Sequence, residues 1–344
     1  MKILFDGRVF SHTNFTGVEN YSKILYQELS KNENITLLKP KSKNKVLQHL
    51  WEHLLLPWKS RKYNLLFSPA NVAPIWKPKN TKLVITLHDN AFITHPQSIS
   101  KLFYFYYKHT IPKSLKIADR VITISEFSRL EIIKSYPFVE DKIEVIYNGV
   151  DRKQFYPIDK NKKEKYILFV GSLNPRKNFL SLIQAFEKIS TNIDIKLKIV
   201  GNFADVFALS IEEQDTIKTA KENNRIVFLE NIDNKQLVEL YQKALIFIFP
   251  STYEGFGLPP LEAMACGTPV ISSNVASLPE VCGDSVVYID PFNVDDIAKK
   301  IDSLLQDISL QNKLRDLGLG RVKNFSWSRS AKEHIQIFKE AVRE

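Results

Sequence analysis

The chain reads as an α/β protein of two domains, each built on a doubly wound parallel sheet. Three observations predict this. Short apolar, β-branched runs alternate with amphipathic helical patterns along nearly the whole length, as strands buried on both faces and joined by crossover helices must. The alternation pauses once, at the polar, aperiodic stretch DRKQFYPIDKNKKEK, residues 151–165, which has the composition of an interdomain linker. The length of 344 residues also exceeds what one core usually supports.

The elements follow in order. In the first half the strand candidates are KILFDGR from Lys2, YNLLFSP from Tyr63, KLVITLHD from Lys82, RVITIS from Arg120 and KIEVIYN from Lys142. In the second half they are KYILFVG from Lys165, KLKIVG from Lys196, RIVFLE from Arg225, ALIFIFPS from Ala244, TPVISS from Thr268 and SVVYID from Ser285. Helices such as NYSKILYQELSK and FLSLIQAFEKIS place apolar residues at i, i+3, i+4 and i+7. The pattern predicts domains at 1–155 and 156–326, facing each other across a cleft. A helix at 327–344 is expected to pack back onto the first domain. Ligands of open α/β sheets sit beyond the C-terminal ends of strands, so the loops there are where chemistry is sought.

Composition narrows the function classes. The chain is 44% hydrophobic and 25% charged, ordinary for a folded globular protein. Cys266 and Cys282 are its two cysteines, which argues for buried reduced thiols and against a disulfide framework or a multi-cysteine metal site. No Asp-x-Asp occurs and the histidines are scattered, so neither a metal nor another cofactor is expected. The N-terminus lacks a signal-peptide core, and the longest apolar runs are too short to span a bilayer. A cytoplasmic protein, soluble or peripheral on the membrane's inner face, is the expectation.

Net charge is +10, and it is unevenly placed. Through residue 160 there are 25 Lys and Arg against 14 Asp and Glu; beyond it, 23 against 24. The first half should therefore face something anionic. Residues 39–63, KPKSKNKVLQHLWEHLLLPWKSRKY, interleave Lys and Arg with two tryptophans and a leucine run. That is the composition of a segment lying on anionic lipid, or of a core helix beneath a solvated basic loop. LFYFYYKHTIPKSLK, 102–116, adds aromatics and lysines that could line a groove for a lipid-bearing ligand. A nucleic-acid partner is not expected, since no recognisable module for one occurs.

Two loops carry the chemistry. GSLNPRKN follows the strand KYILFVG and sets Arg176 and Lys177 just before a helix, with Gly171 at the turn. Two adjacent cations beside a helix N-terminus suit a diphosphate; alone, they would be a solvated basic loop. After the strand ALIFIFPS comes STYEGFGLPPLEAMACGTPV, 251–270. Pro259 and Pro260 are read as starting a helix, which places Glu262 in its first turn, and Gly267 ends it. A carboxylate there can accept from the paired hydroxyls of a ribose, and Glu254 with its glycine loop from those of a sugar. Singly, Glu262 reads as helix-terminus stabilisation and Glu254 as a surface turn; together they form a specific signal.

EGFGLPPLEAMACGTPVISSN, with ASLPEVCGD after it and FVGSLNPRKNF before it, resembles the retaining nucleotide-sugar glycosyltransferases of family 4, which have the GT-B fold. Glu254 and Glu262 meet that family's Glu-x7-Glu pattern. TGVENYSKILYQEL, LHDNAFITHP, ADRVITISEFSR and IYNGVD are similar to its N-domain segments, so the likeness covers almost the whole chain. It implies that Arg176 and Lys177 bind the donor diphosphate, Glu262 the ribose, and Glu254 the donor sugar, with the backbone of Gly255, Phe256, Gly257 and Leu258 and the Gly171 turn completing the donor site. His88, at a strand end, takes the position beside the sugar's anomeric region. It can hydrogen-bond the sugar or donate toward the phosphate; a satisfied core histidine is the other reading.

One departure from the family pattern stands out. Many members carry two glycines after the first strand, where amides approach the phosphate; here FTGVEN has Gly17 alone, after Thr16. That version is similar to bacterial polysaccharide glycosyltransferases, many of them resembling mannosyltransferases. Glu19 and Asp89 would meet the acceptor, although Glu19 equally serves a helix N-terminus.

The implied reaction moves a hexose, mannose from GDP-mannose foremost, onto a lipid-linked (polyprenyl-diphosphate) or growing surface glycan such as O-antigen or capsule. Its transition state resembles an oxocarbenium ion, and cations and amides rather than a metal stabilise the leaving diphosphate. Two alternatives use the same donor site. A GT-B-shaped epimerase or hydrolase needs no acceptor, and a non-catalytic nucleotide-sugar-binding subunit would be favoured if His88 or Glu254 were missing, whereas both are present.

Overall fold

The structure, a computed structural model, describes residues 1–11, 17–31, 33–96, 99–172, 174–190, 194–201 and 211–343. Thr16 of the FTGVEN loop, Leu173 of the GSLNPRKN loop and Glu344 of the expected last helix lie outside the described residues. The chain divides into two compact units, Met1–Gly149 with Ser326–Glu344, and Val150–Phe325.

The first unit holds β1 (Lys2–Asp6), β2 (Asn34–Leu38), β3 (Leu65–Ser68), β4 (Lys82–Thr86), β5 (Arg120–Thr123) and β6 (Ile143–Val145), in the spatial order β2-β1-β3-β4-β5-β6. Every neighbouring pair is parallel. The central strands bury both faces, as Ile3, Leu4, Phe5, Leu65, Leu66, Phe67, Leu83, Val84 and Ile85 are essentially inaccessible. Strand β2 is absent from the sequence reading. It is an edge strand whose residues are half-exposed or exposed, so its apolar signal is weak.

The helix Trp327–Arg343 belongs to this unit. Trp327, Ala331, His334, Ile337, Phe338 and Ala341 form its buried stripe, which meets the helix Gly17–Leu29 and β4. Phe338 sets its ring 4.9 Å from that of Phe67. The chain leaves the unit at Gly149 and returns beside it: a Cβ at Gly149 would lie 2.1 Å from the Trp327 backbone nitrogen. Only glycine permits that approach.

The second unit holds β7 (Glu164–Val170), β8 (Lys196–Val200), β9 (Ile226–Leu229), β10 (Ala244–Phe249), β11 (Val270–Ser273) and β12 (Val287–Ile289). Their order is β12-β11-β10-β7-β8-β9, again all parallel. Its core joins Ile167 and Phe169 of β7, Ile246 and Ile248 of β10, the helix Phe179–Glu187 and the helix Val294–Gln306.

The stretch 151–165 is not a free linker, and the boundary falls at 149/150 instead of 155/156. Phe155 is 7% exposed and packs edge-on to Tyr241 at 5.8 Å. The Gln242 amide donates to the Tyr156 carbonyl, and Arg315 donates to that of Ile158. Aromatic and backbone anchors thus dock a segment whose many lysines hide it from a composition-based reading.

Candidate active site

In the second unit the strand order reverses between β7 and β10. Crossovers from β7 run outward to β8 and β9, and the chain then returns to β10 on the other side of β7. The crevice at such a switch point is where an open α/β sheet takes its ligand. The loop after β7 carries Gly171, Arg176 and Lys177; the loop after β10 carries Glu254, Gly255, Phe256 and Gly257 and leads into the helix Leu258–Ala265. Topology therefore brings the two charged loops together.

Specific bonds fix them. Asn174 caps the turn Pro175–Lys177, its side chain accepting from the Arg176 amide. The Thr252 amide donates to the Arg176 carbonyl at 2.8 Å, and the Thr252 hydroxyl does so at 3.2 Å. Ser277 directs its hydroxyl at the carbonyls of Glu254 and Phe256, 2.9 and 2.8 Å away. Gly257 sits at φ 114°, and a Cβ there would come 2.7 Å from Leu278 Cδ2, so this turn requires glycine.

The charged groups converge on that frame. Lys177 Nζ lies 2.5 Å from Glu254 Oε1 and 5.0 Å from the centre of the Phe249 ring. The Arg176 guanidinium lies 5.9 Å from the Tyr253 ring centre. Arg176 Nε and Ser251 Oγ are buried and have no hydrogen-bond partner among the described residues. Buried polar atoms are nearly always paired. Two unpaired ones lie here, one on the loop after β7 and one on the loop after β10.

Glu262 needs a correction. The helix begins at Leu258, one residue before the prolines, so Glu262 is its fifth residue and the first turn has no acidic side chain. Helix-terminus stabilisation falls off within that first turn. Its anchor is instead Tyr241, fully buried, whose hydroxyl donates to Glu262 Oε2 at 2.9 Å. Burial raises the carboxyl to about 7 and the Tyr241 bond acts in the opposite direction. The helix closes as anticipated at Gly267, φ 66°, with Gly267 N bonded to Met264 O and Thr268 N to Ala263 O, a Schellman arrangement.

His88, Asp89, Gly17 and Glu19 belong to the first unit. His88, 4% exposed, follows β4 and sets Nε2 2.8 Å from the Pro69 carbonyl, so Nε2 carries the proton. Burial lowers its pKa. The ring is therefore neutral, with Nδ1 an acceptor: fit to receive a sugar hydroxyl, whereas donation toward a phosphate needs a second proton. Asp89 accepts from the Ala91 amide. Glu19 is 8% exposed in the first turn of its helix, and its charge and that of Asp89 act on His88. Among the described residues a Cβ at Gly17 would meet nothing within 4 Å, so no described neighbour there demands glycine.

Behind His88 runs a buried chain that pattern reading missed. His334 donates from Nδ1 to the Ser330 carbonyl, so its Nε2 accepts from the Tyr21 hydroxyl at 2.9 Å, and Tyr21 in turn accepts from Thr86 at 3.1 Å. The Tyr21 ring stands edge-on to His88 at 4.5 Å. At this sheet's own switch point, between β1 and β3, Arg8 Nε pairs with Glu52 at 2.9 Å, and the Asp6 carboxylate accepts from the Arg8 amide and the Ser68 hydroxyl. Burial, then the charge of Glu52, raises Asp6 to about 7.

Two all-parallel doubly wound sheets, one with a cationic turn and a carboxylate-bearing glycine loop at its switch point, define a glycosyltransferase of the GT-B type. Residues 150–318 match the family model described as glycosyl transferases group 1, and residues 17–154 that described as glycosyltransferase family 4. The chain belongs to this family. It is 32% identical over 272 residues to the O-antigen chain mannosyltransferase B of Escherichia coli, covering 75% of this chain and 70% of the relative. It is 35% identical over 207 residues to the O-antigen chain mannosyltransferase RfbU of Salmonella typhimurium, covering 60% and 56%. Sucrose-phosphate synthase from Thermosynechococcus elongatus superposes with a TM-score of 0.80 over 98% of both chains at 20% identity.

Proposed function

We propose that this glycosyltransferase moves mannose from GDP-mannose, with retention, onto a lipid-linked or growing glycan in bacterial surface polysaccharide synthesis. The observation that carries the reading is the switch point itself: Arg176 and Lys177 on one loop, Glu254 on the other, and two buried polar atoms without partners. The two relatives named above as O-antigen mannosyltransferases support the choice of sugar and pathway.

Each residue has a role in this reading. Arg176 and Lys177 hold the diphosphate and stabilise the charge that develops as the anomeric carbon–oxygen bond breaks, a preorganised electrostatic effect. Glu262, held by Tyr241, accepts from the ribose hydroxyls. Glu254 orients the sugar, with the loop amides of Gly255, Phe256 and Gly257 and the start of the helix at Leu258 beside it. Gly171 and Gly17 let backbone approach the phosphates. His88 Nδ1 accepts from a sugar hydroxyl. The acceptor hydroxyl, placed by Glu19 and Asp89, bonds the anomeric carbon on the face that the diphosphate leaves and gives up its proton to the departing phosphate oxygen. The two cations take the part a divalent metal plays elsewhere.

Nucleotide release across a panel of nucleotide sugars, with EDTA present, tests this. GDP-mannose should be turned over, and Arg176→Ala and Glu254→Ala should each lose at least about a hundredfold. Turnover of another donor alone would sink the sugar assignment. Absence of thermal stabilisation by GDP, UDP and TDP would sink the donor site.

A further inference from the structure

Among the described residues no helix is long and apolar enough to cross a membrane, yet one helical stretch wears its apolar face outward. Residues 45–60 form a continuous helical run, Lys45–Leu50, a π-turn over Trp51–Leu55, then Leu56–Ser60. Its inward side is largely polar. Gln48, Glu52 and Ser60 are buried with Leu56, and Glu52 holds Arg8. Its outward side is Val46, Leu47, Leu50, Leu54, Leu55 and Trp58, between 48% and 68% exposed. An ordinary surface helix has the opposite arrangement. The π-turn, a feature often found at functional sites, lies in the middle of this outward apolar side.

A second helix extends the surface. Lys101–Ile117 is tied to the first where the Tyr106 hydroxyl meets both His49 and His53, at 2.8 and 2.7 Å. Just before Tyr106 in this helix, Leu102 is 79% exposed and Phe105 57%. The charge around this apolar field has one sign. Lys41, Lys43, Lys59, Arg61, Lys62, Lys101 and Lys108 are exposed, whereas the only acidic residue in 39–63 or 101–117 is the buried Glu52. Lys59 and Arg61 pack their cations over the Trp58 ring at 5.1 and 4.6 Å. Beside them opens a cavity of about 340 Å³, lined by Trp58, Lys59, Arg61 and Lys62.

We infer that the face formed by Val46–Trp58 and Leu102–Phe105 docks the enzyme on the surface of an anionic phospholipid bilayer, the aliphatic side chains entering the acyl boundary and the basic rim meeting headgroup phosphates. Leucines flanked by tryptophan and lysine match that interface. A second copy of the chain would bring two basic rims together against like-charge repulsion. Nucleic acid would leave the leucines without an apolar partner. The inference stands apart from the donor assignment, since none of these residues belongs to the switch-point site.

Flotation of the full chain with vesicles of phosphatidylethanolamine and phosphatidylglycerol, against phosphatidylcholine alone, tests it. Binding should be confined to the anionic vesicles, weaken with salt, and blue-shift a tryptophan emission that Trp58→Phe removes. Leu50→Ser with Leu54→Ser and Trp58→Ser should lower vesicle binding at least tenfold while thermal midpoint and GDP affinity hold. If that variant is poorly folded, Lys59→Glu with Arg61→Glu reads the same surface. Equal binding to neutral vesicles, or unchanged binding of the folded variants, overturns the inference. So does self-association or nucleic-acid binding that the same substitutions abolish.

Discussion

Lys177 and Glu254 neutralise one another across the switch point, Nζ to Oε1 at 2.5 Å, with the two side chains only 17% and 13% exposed. A diphosphate arriving there competes with the Glu254 carboxylate for the ammonium. Glu254→Gln should therefore bind GDP several-fold more tightly, about 1 kcal/mol for a partly buried pair, while sugar transfer falls at least about a hundredfold. Calorimetric titration beside a turnover assay separates the two effects. Weaker GDP binding in the variant would show that the pair does not compete with the nucleotide.

Glu262 gives the site a pH dependence. Its carboxyl, raised by burial to about 7, protonates as pH falls through neutrality, and the protonated form is a poorer acceptor for ribose hydroxyls. GDP affinity should decline below about pH 7. Tyr241→Phe removes a bond that favours the charged form, so the decline should begin at higher pH. Titrations of GDP and of 2′,3′-dideoxy-GDP between acid and mildly alkaline pH check this. The dideoxy nucleotide should be indifferent to the substitution.

His334 predicts acid sensitivity of the fold. Burial holds it down to about 4 against the ordinary 6.5, while its hydrogen bond to the Ser330 carbonyl acts the other way. The native state thus resists a proton that the unfolded chain accepts below about 6.5. Stability is unaffected above that pH and is lost progressively between 6.5 and 4, on the order of 3 kcal/mol in all. Denaturation midpoints measured across that range should flatten in His334→Gln.

Gly149 and Gly17 should respond oppositely to alanine. At Gly149 the new methyl meets the Trp327 backbone, which cannot swing aside, so a loss of at least about 2 kcal/mol and a lower thermal midpoint are expected. At Gly17, the first residue of its helix, the methyl has open space among the described residues, and stability should hold or rise by up to about 1 kcal/mol. Thermal melts of the two single variants decide it.

The parts of this molecule legible from sequence are those whose signal is local. Strands buried on both faces announce themselves as apolar runs, and Glu254, Gly257 and Glu262 lie within nine residues of one another around a glycine turn. What escaped depends on partners far along the chain. Tyr241 and Ser277 act on Glu262 and Glu254 from 21 and 23 residues away, and His334 reaches Tyr21 across 313. Strand β2 escaped because an edge strand buries too little to carry a pattern. The docking of 151–165 escaped because Phe155 and Tyr156 stand among lysines that dominate its composition.

The interleaving of the two units along the chain has a consequence for biosynthesis. A ribosome delivers Val150–Phe325 as one unbroken run before the helix Trp327–Arg343 emerges. The second unit can complete its sheet while the first still lacks the helix that covers Phe67 and receives the Tyr21 hydroxyl. Until then Phe67 and its neighbours are uncovered apolar surface, the kind of exposure that draws chaperones. The portion translated first is thus finished last, and nascent-chain crowding should threaten that portion more than the second unit.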